Sequence, residues 1–350
     1  MPAETHPSDG STAATDDRSV AVQTTGLTKR YGDDVLAVDD LDLTVYAGEI
    51  FGFLGPNGAG KSTTIDVIMD YVRPSAGSAT VLGRDAQAET RAVHERVGIL
   101  PDGYGLYERR TGRENLTYAI ALKGADDDVD DLLDRVGLDR AAADRAVGGY
   151  SKGMTQRLAL AIALVGDPDV LILDEPSSGL DPNGVRLVRE IARDHADRGK
   201  TVFFSSHILS QVEAVCDRVA ILDRGRLVAV DTIEGLRDAL DTGSTVTLTV
   251  DAVPDRLTLG ELAGVDDVAV DDRTIRVRVG EAAAKVDVID RAREDGAAIL
   301  DVAIAESSLE DLFSAYTGGS PPNRDGLDAG ASEADASADD VPTRGAPEGE

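Results

Sequence analysis

The sequence from Glu49 to Thr63, EIFGFLGPNGAGKST, joins a short apolar run, a glycine-rich loop and the start of a helical pattern. It fits G-x-x-x-x-G-K-[ST], a pattern with which proteins hold phosphate groups. Its glycines let successive backbone N–H groups converge on one phosphate, and the following helix adds the positive end of its dipole. The stretch predicts a strand, a phosphate-binding loop and a helix, the central unit of a P-loop NTPase.

Each position of this loop has an expected role at a nucleotide. We expect the Lys61 amine to reach the β- and γ-phosphate oxygens, and the Ser62 hydroxyl to ligate Mg²⁺. An ordinary glycine turn is the alternative, but the strand before the loop and the helix after it argue against one. The predicted nucleotide contacts are Gly55, Pro56, Asn57, Gly58, Ala59, Gly60, Lys61, Ser62 and Thr63.

A second apolar run, DVLILDEP at 169–176, ends in two adjacent acids. Asp174 is expected to hold a water on Mg²⁺. Side chains alternate along a strand, so Glu175 should face another direction, where its carboxylate can orient or deprotonate an attacking water. Such a strand end is a weak signal alone, since it is also common as a solvated surface, but it is strong behind a phosphate loop.

The hydrophobic pattern divides the chain into two ordered parts between two tails. Residues 19–231 alternate short buried-strand runs with amphipathic helical stretches, which favours a parallel sheet covered by helices. The strand runs are 49–55, 169–176, 201–207 and 218–225. Residues 232–317 read strand, weak helix, two strands joined by a hairpin at 271–273, helix and strand, followed by a final helix with a capping box from Ser307 to Glu310. This order resembles a small ferredoxin-like α+β unit. We therefore predict an α/β ATPase domain and an accessory domain.

The composition predicts the environment in which the protein works. The tails, 1–18 and 318–350, are acidic and poor in apolar residues, so we expect disorder there. The formal net charge is −30, with 6 lysines against 29 arginines, which resembles proteins of halophiles and disfavours nucleic acid as a partner. We find no secretion signal, no apolar run long enough to span a membrane and a single cysteine, Cys216, which we expect in the core of a cytoplasmic protein.

Five ordered motifs over residues 21–229 resemble the ATP-binding subunit of an ABC transporter. The segment LTKRYGD places Tyr31 where that family stacks an aromatic ring on adenine. The segment YSKGM, which contains Ser151 and Gly153, takes the place of the signature L-S-G-G-Q. The segment SSGLD at 177–181 matches the D-loop, and SSH places His207 at the switch histidine. By contrast, His94 and His195 lie in polar helical stretches, and we expect them at the surface.

The resemblance implies a head-to-tail dimer in which each ATP lies between two subunits. Ser151 and the Gly153 backbone would contact the γ-phosphate bound by the partner's glycine loop, and the helix after them would point its N-terminus at that anion. Glu175, His207 and Lys61 would be catalytic. A cytoplasmic ATPase of this kind, with a helical subdomain in its cassette, would lie at the inner face of the cell membrane by binding a separate integral-membrane permease.

The sequence departs from the family pattern at three positions. Asp102 stands where the family has the glutamine of the Q-loop, a position that meets the metal. Lys152 and Met154 replace a glycine and a glutamine of the signature. With the appended C-terminal domain, this signature resembles the branch that exports drugs, lipids or polysaccharides. Two alternatives are an ATPase whose permease matures a cofactor site and a soluble ABC ATPase without a transport role.

Overall fold

The computed structural model describes residues 18–103, 105–239, 244–254, 256–280 and 284–305, without the side chains of 237–239. Both predicted tails, apart from Arg18, and the predicted final helix with its Ser307–Glu310 capping box lie outside these ranges. The strands of the first domain are β1 (Val20–Tyr31), β2 (Val35–Tyr46), β3 (Ile50–Leu54), β4 (Ala76–Val81), β5 (Arg84–Asp85), β6 (Val97–Leu100), β7 (Val170–Asp174), β8 (Thr201–Ser206), β9 (Arg218–Asp223) and β10 (Arg226–Thr232).

The helices of this domain divide into those beside the central sheet and a separate helical group, α3 to α6. The helices are α1 (Lys61–Ile68), α2 (Thr90–His94), α3 (Gly112–Lys123), α4 (Val129–Arg135), α5 (Arg140–Ala143), α6 (Lys152–Ala163), α7 (Pro182–Asp197), α8 (Leu209–Glu213) and α9 (Ile233–Ala239). Thr111 and Glu114 form a capping box at the start of α3, while Asp181 caps α7 by accepting the Gly184 N–H at 2.7 Å.

The central sheet has the strand order β10-β9-β3-β8-β7-β6. All its neighbours are parallel except β9 and β10, which form an antiparallel pair. The strands predicted within the runs 49–55, 169–176, 201–207 and 218–225 are therefore confirmed as β3, β7, β8 and β9. Since parallel strands present their carboxyl ends at one edge, the loops after β3, β7 and β8 meet there.

Both faces of the central sheet are buried, in two separate cores. On β3, Ile50 and Leu54 pack into a core shared with the helical group α3–α6, whereas Phe51 and Phe53 pack into a second core beneath the antiparallel sheet β2-β1-β4-β5. The alternation of successive side chains between the two cores explains why the strand runs are apolar at nearly every position. Cys216 lies buried in the first core, as predicted.

Helix α9 lies just beyond the domain boundary that the sequence suggested at 231/232. Ile233 and Leu236 are buried and belong to the core shared with the helical group. The described chain resumes at Ser244, the first residue of the next sheet. Packing therefore joins α9 to the ATPase domain.

The C-terminal domain contains β11 (Ser244–Val250), β12 (Val265–Asp271), β13 (Thr274–Val279), α10 (Ala284–Glu294) and β14 (Ile299–Ala305). The sheet is antiparallel throughout, in the order β12-β13-β11-β14. This is the strand order of a ferredoxin-like unit, and the hairpin turn falls at 272–273, within the predicted segment. The predicted first helix is only a 3₁₀ turn at Leu259–Glu261, although Leu259 is buried in the core of this domain. Gly260 in the middle of the segment is a poor helix former.

Within the part of the chain that the structure describes, no helix is both long and apolar enough to cross a bilayer.

Candidate nucleotide site

The glycine loop connects β3 to α1 and leaves its last N–H groups without protein acceptors. The amides of Gly60, Lys61 and Ser62 donate to no backbone or side-chain oxygen of the described residues, whereas Ala59 donates to Pro56 O at 3.1 Å. These three consecutive donors lie at the N-terminus of α1. The arrangement matches a phosphate cradle in which backbone dipoles and the helix end act together.

Glycine is required at both ends of this loop. Gly60 has φ of 105°, and a Cβ there would lie 2.4 Å from the Ala37 carbonyl oxygen. A Cβ on Gly55 would lie 2.5 Å from the Leu222 carbonyl oxygen. The loop is therefore wedged between β2 and the end of β9, so that any larger residue would push the cradle out of place.

Lys61, Glu175 and His207 form a chain of charged and polar contacts beside the loop. The Lys61 amine donates to Gly55 O at 2.7 Å and lies 3.4 Å from Glu175 Oε1. Glu175 Oε2 lies 2.8 Å from His207 Nδ1. Lys61 is 6% exposed, so its charge is neutralised mainly by this carboxylate. The three predicted catalytic side chains are thus brought together at the loop.

The strand order explains how these residues meet. Lys61 follows β3, Glu175 follows β7 and His207 follows β8, and β8 lies between the other two strands. The Glu175 N–H continues the sheet by donating to Ser205 O at 3.1 Å. Glu175 itself has φ of 50°, a left-handed conformation that costs a residue with a side chain about 1 kcal/mol. This turn aims the carboxylate back at Lys61 rather than along the strand.

Asp174 is a buried carboxylate poised beside the loop. It is 3% exposed, and its Oδ1 has no hydrogen-bond partner among the described residues. Burial raises the pKa of the carboxyl group; the charges of Asp102 and Glu175 add to this, whereas the Ser62 hydroxyl opposes it. A buried carboxylate with an unsatisfied oxygen and a nearby serine hydroxyl fits a hard divalent cation such as Mg²⁺.

The other predicted metal contact, Asp102, is exposed in the turn after β6. Its charge is close enough to raise the pKa of Asp174. Among the residues that the structure describes, no three His, Cys, Asp or Glu side chains form a metal cluster. Any cation here would therefore need ligands from outside the protein, such as phosphate oxygens and water, in addition to Ser62 and Asp174.

Tyr31 ends β1 at the tip of a hairpin and is 41% exposed. It pairs with Val35 on β2, the same strand whose Ala37 carbonyl contacts the glycine loop. Lys29 Nζ lies 4.8 Å from the centre of the Tyr31 ring. The Tyr31 ring therefore lies on the hairpin that borders the loop, where it is exposed and available for stacking on a ligand.

Ser151 caps helix α6, and its hydroxyl accepts the Met154 N–H at 3.3 Å. Ser151 is exposed and Gly153 is half-buried. Across the described ranges, no hydrogen bond or ion pair joins residues 151–154 to residues 55–63 of the same chain. The signature segment therefore presents an open helix N-terminus that its own glycine loop does not use.

The expectation that His195 lies at the surface is wrong. It is fully buried on α7, and burial, followed by the charges of Arg198 and Lys200, lowers its pKa to about 4. Arg198 Nη2 lies 3.1 Å from His195 Nδ1. The polar residues around it in the sequence face outward, and helical periodicity places His195 on the apolar side. His94, also expected at the surface, is half-buried and contacts Met69 O at 2.7 Å.

Two contacts that the sequence did not predict tie α6 to the turn after Glu175. The buried Gln156 side chain donates to Pro176 O at 2.5 Å, and Lys152 Nζ donates to Ser178 Oγ at 3.2 Å. Gln156 is the only polar side chain buried on α6, an isolated polar position on an apolar helix face. That pattern was the one signal available, but it does not name the partner.

Comparison with known proteins bears on these observations. The family model for ABC transporters matches residues 38–178. An uncharacterized ABC transporter ATP-binding protein of Nostoc sp. is 44% identical over 214 residues, which cover 59% of this chain and 63% of that protein, just under two thirds of its length. The daunorubicin/doxorubicin resistance ATP-binding protein DrrA of Streptomyces peucetius is 34% identical over 307 residues, covering 85% of this chain and 92% of the relative.

Solved structures agree with the fold. The ATP-binding subunit of an ABC transporter aligns with a TM-score of 0.58 and 28% identity, covering 63% of this chain and 93% of that one. A dimeric ATP-binding cassette in a post-hydrolysis state with ADP and Pi aligns with a TM-score of 0.55 and 22% identity, covering 61% of this chain and 98% of that one. The chain belongs to the ATP-binding proteins of ABC transporters.

Proposed function

We propose that this ATPase works as a head-to-tail homodimer with two shared nucleotide sites. Each ATP is held by the loop Gly55–Thr63 of one subunit and by Ser151 and Gly153 of the other. The observation that carries the proposal is the division of the machinery: Lys61, Glu175 and His207 converge on the loop, whereas the capped N-terminus of α6 makes no polar contact with it. A cassette of the same fold is dimeric with ADP and Pi bound, which is compatible with a dimer here.

Within one site, each residue has a separate binding task. The free N–H groups of Gly60, Lys61 and Ser62 hold the β-phosphate, and Lys61 exchanges Glu175 for the β- and γ-oxygens. Tyr31 stacks on the adenine ring. Ser62 and Asp174, with Asp102 acting through water, would hold Mg²⁺, which would supply positive charge to the phosphates.

Catalysis rests on Glu175 and His207. When the phosphate takes the Lys61 amine, Glu175 Oε1 loses its ion pair and becomes available as the base that orients and deprotonates water. His207 fixes the opposite carboxylate oxygen and contacts the γ-phosphate. The Ser151 hydroxyl and the Gly153 N–H of the other subunit stabilise the transferred group, so a lone subunit binds ATP but turns it over poorly.

We place the dimer on the cytoplasmic face of the membrane, where it drives a separate permease, in the direction of export. DrrA, a drug-resistance ATP-binding protein, aligns over 92% of its length, including the C-terminal domain that the bare cassette structures lack. Removal of a toxic solute is the simplest way in which such a subunit confers resistance. The cargo is then recognised by the permease.

Complementation between two inactive variants tests the shared site. Lys61→Ala removes the loop half, and Ser151→Arg blocks the signature half. In a mixture of the two, half of the dimers are mixed and carry one intact site, which predicts roughly a quarter of the wild-type ATPase rate if sites are independent. Lys61→Ala mixed with Glu175→Gln is the matched control, because both defects lie in the same half and no intact site forms. A first mixture no faster than this control would disprove shared sites.

A further inference from the structure

Lys152 is the position at which this chain departs most in charge from the signature that it resembles. Its side chain takes no part in the helix cap formed by Ser151. It extends across the D-loop, 177–181, of its own subunit. Nζ donates to Ser178 Oγ at 3.2 Å, and a Cβ on Gly179 would lie 2.4 Å from Lys152 Cδ. The lysine stem therefore lies directly over Gly179, where only glycine leaves room for it.

Ser178 is tied to the proposed catalytic base. Its N–H donates to Glu175 O at 3.1 Å, which closes a turn over Glu175, Pro176 and Ser177. Helix α6 holds this turn at two points, through Lys152 on Ser178 and through Gln156 on Pro176 O at 2.5 Å. A movement of Lys152 is thus transmitted to the backbone that carries Glu175.

The two holding points differ in strength. The Gln156 contact is buried, so breaking it would leave polar atoms without partners. The Lys152 contact is exposed and joins an ammonium to a neutral hydroxyl, which water replaces at little cost. A phosphate oxygen is a stronger acceptor for the same ammonium, because both partners are charged. Lys152 therefore favours an anion over Ser178 whenever one lies at the N-terminus of α6.

We propose that Lys152 is a positioning residue that exchanges Ser178 for the terminal phosphate of the nucleotide held by the other subunit. The exchange frees the Ser178 end of the turn that carries Glu175, while Gln156 still holds Pro176. Since that Glu175 serves the second site of the dimer, occupation of one site sets the geometry of the other. This inference rests on the proposed head-to-tail dimer and adds to it a route of communication between the two sites.

Steady-state ATPase measurements on the full chain, with ATP as the varied ligand, test the exchange. Lys152→Met should raise the half-saturating ATP concentration about five- to fifty-fold, the size of one charge-assisted hydrogen bond, and bring the Hill coefficient toward 1. Lys152→Arg keeps the charge and should recover most of the affinity. Lys285→Met, which removes a lysine from α10 in the C-terminal domain, should behave as wild type.

Ser178→Ala separates the exchange from simple packing. This substitution frees Lys152 to bind phosphate and removes its hydrogen bond to the turn. The half-saturating ATP concentration should therefore be unchanged or lower, while the Hill coefficient falls. If Ser178→Ala raises half-saturation as Lys152→Met does, Lys152 acts only by bracing the D-loop and the inference is wrong. It is also wrong if Lys152→Met leaves both quantities at wild-type values. Restored activity in the Lys61→Ala and Ser151→Arg mixture would then show that the shared site stands without it.

Discussion

Nδ1 of His207 lies 2.8 Å from Oε2 of Glu175, although the two residues are 32 positions apart and follow different strands. The imidazole holds one carboxylate oxygen while the other faces the Lys61 amine at 3.4 Å. A γ-phosphate that binds Lys61 competes with this carboxylate. Under the proposed function, the same three residues connect nucleotide binding to release of the base.

Replacing Glu175 with Gln should separate binding from turnover. The amide keeps the size of the side chain but cannot accept a proton from water, so we expect the hydrolysis rate to fall about 10²- to 10⁴-fold. ATP should still bind, and dimers should accumulate because they cannot reopen. Phosphate release and light scattering with ATP measure the two effects. The matched control is Glu190→Gln, an exposed position on α7; normal turnover by Glu175→Gln would exclude Glu175 as the base.

Asp174→Asn should stabilise the nucleotide-free protein while it abolishes Mg²⁺-dependent hydrolysis. Burial raises the pKa of Asp174 above its unfolded value, so the ionised form costs stability; this cost is absent below about pH 4 and grows as the pH rises through the folded pKa. We expect a gain of roughly 1 kcal/mol at pH 7, or a few degrees in melting temperature. Thermal melts without nucleotide at pH 7 measure it. A lower melting temperature at pH 7 would contradict a buried, uncompensated charge.

Asp102→Ala should weaken the response to Mg²⁺ rather than the binding of the nucleotide itself. Asp102 is exposed, so its loss leaves the core intact and removes one negative charge near Asp174. We expect the Mg²⁺ concentration for half-maximal turnover to rise about three- to ten-fold, the effect of one water-mediated contact. Binding of ATP in EDTA should be unchanged. Asp126→Ala, an exposed aspartate in the helical group, is the control; equal Mg²⁺ titrations for both variants would remove Asp102 from the metal site.

His195 should make the fold sensitive to acid. Its pKa is about 4 in the folded chain against 6.5 for a solvent-exposed imidazole, so the unfolded state takes up a proton first as the pH falls. The neutral imidazole contributes stability above pH 6.5 that is lost progressively down to about pH 4, roughly 3 kcal/mol in all. Denaturant unfolding of wild type and His195→Gln between pH 7 and pH 4 measures how steeply the free energy of unfolding of each protein falls with pH. Identical slopes would show that His195 titrates normally.

Salt should stabilise this chain strongly. At a net charge of −30, repulsion among surface carboxylates opposes folding, and raising the salt from about 0.1 M to 1 M shortens the screening length from about 10 Å to about 3 Å. We expect the melting temperature to rise continuously over this range. Sucrose at matched osmolality is the control for exclusion effects. A melting temperature that does not change with the KCl concentration would argue against adaptation to a salty cytoplasm.

Local patterns were sufficient for the loop and for the succession of strands along the accessory domain. Gly55 and Gly60 have backbone geometries and neighbours that exclude a side chain, so their spacing predicts the cradle before any fold is known. The strand runs were equally clear, because burial on both faces removes polar residues from them. The weak helical pattern at 256–264 was not sufficient, since it did not reveal that only Leu259–Glu261 forms a 3₁₀ turn although Leu259 packs into the core.

The sequence by itself determined the glycine loop between a strand and a helix, four of the six strands of the central sheet and the place of Asp174 and Glu175 at a strand end. Only the tertiary structure decided that His207 contacts Glu175, that His195 is buried, that α9 packs with the ATPase domain and that Lys152 reaches Ser178. The physical reason is the distance along the chain over which each interaction acts. Backbone conformation and hydrophobic periodicity act between residues close in the chain, whereas these contacts join segments that only the order of parallel strands and the packing of α6 bring within reach of one another.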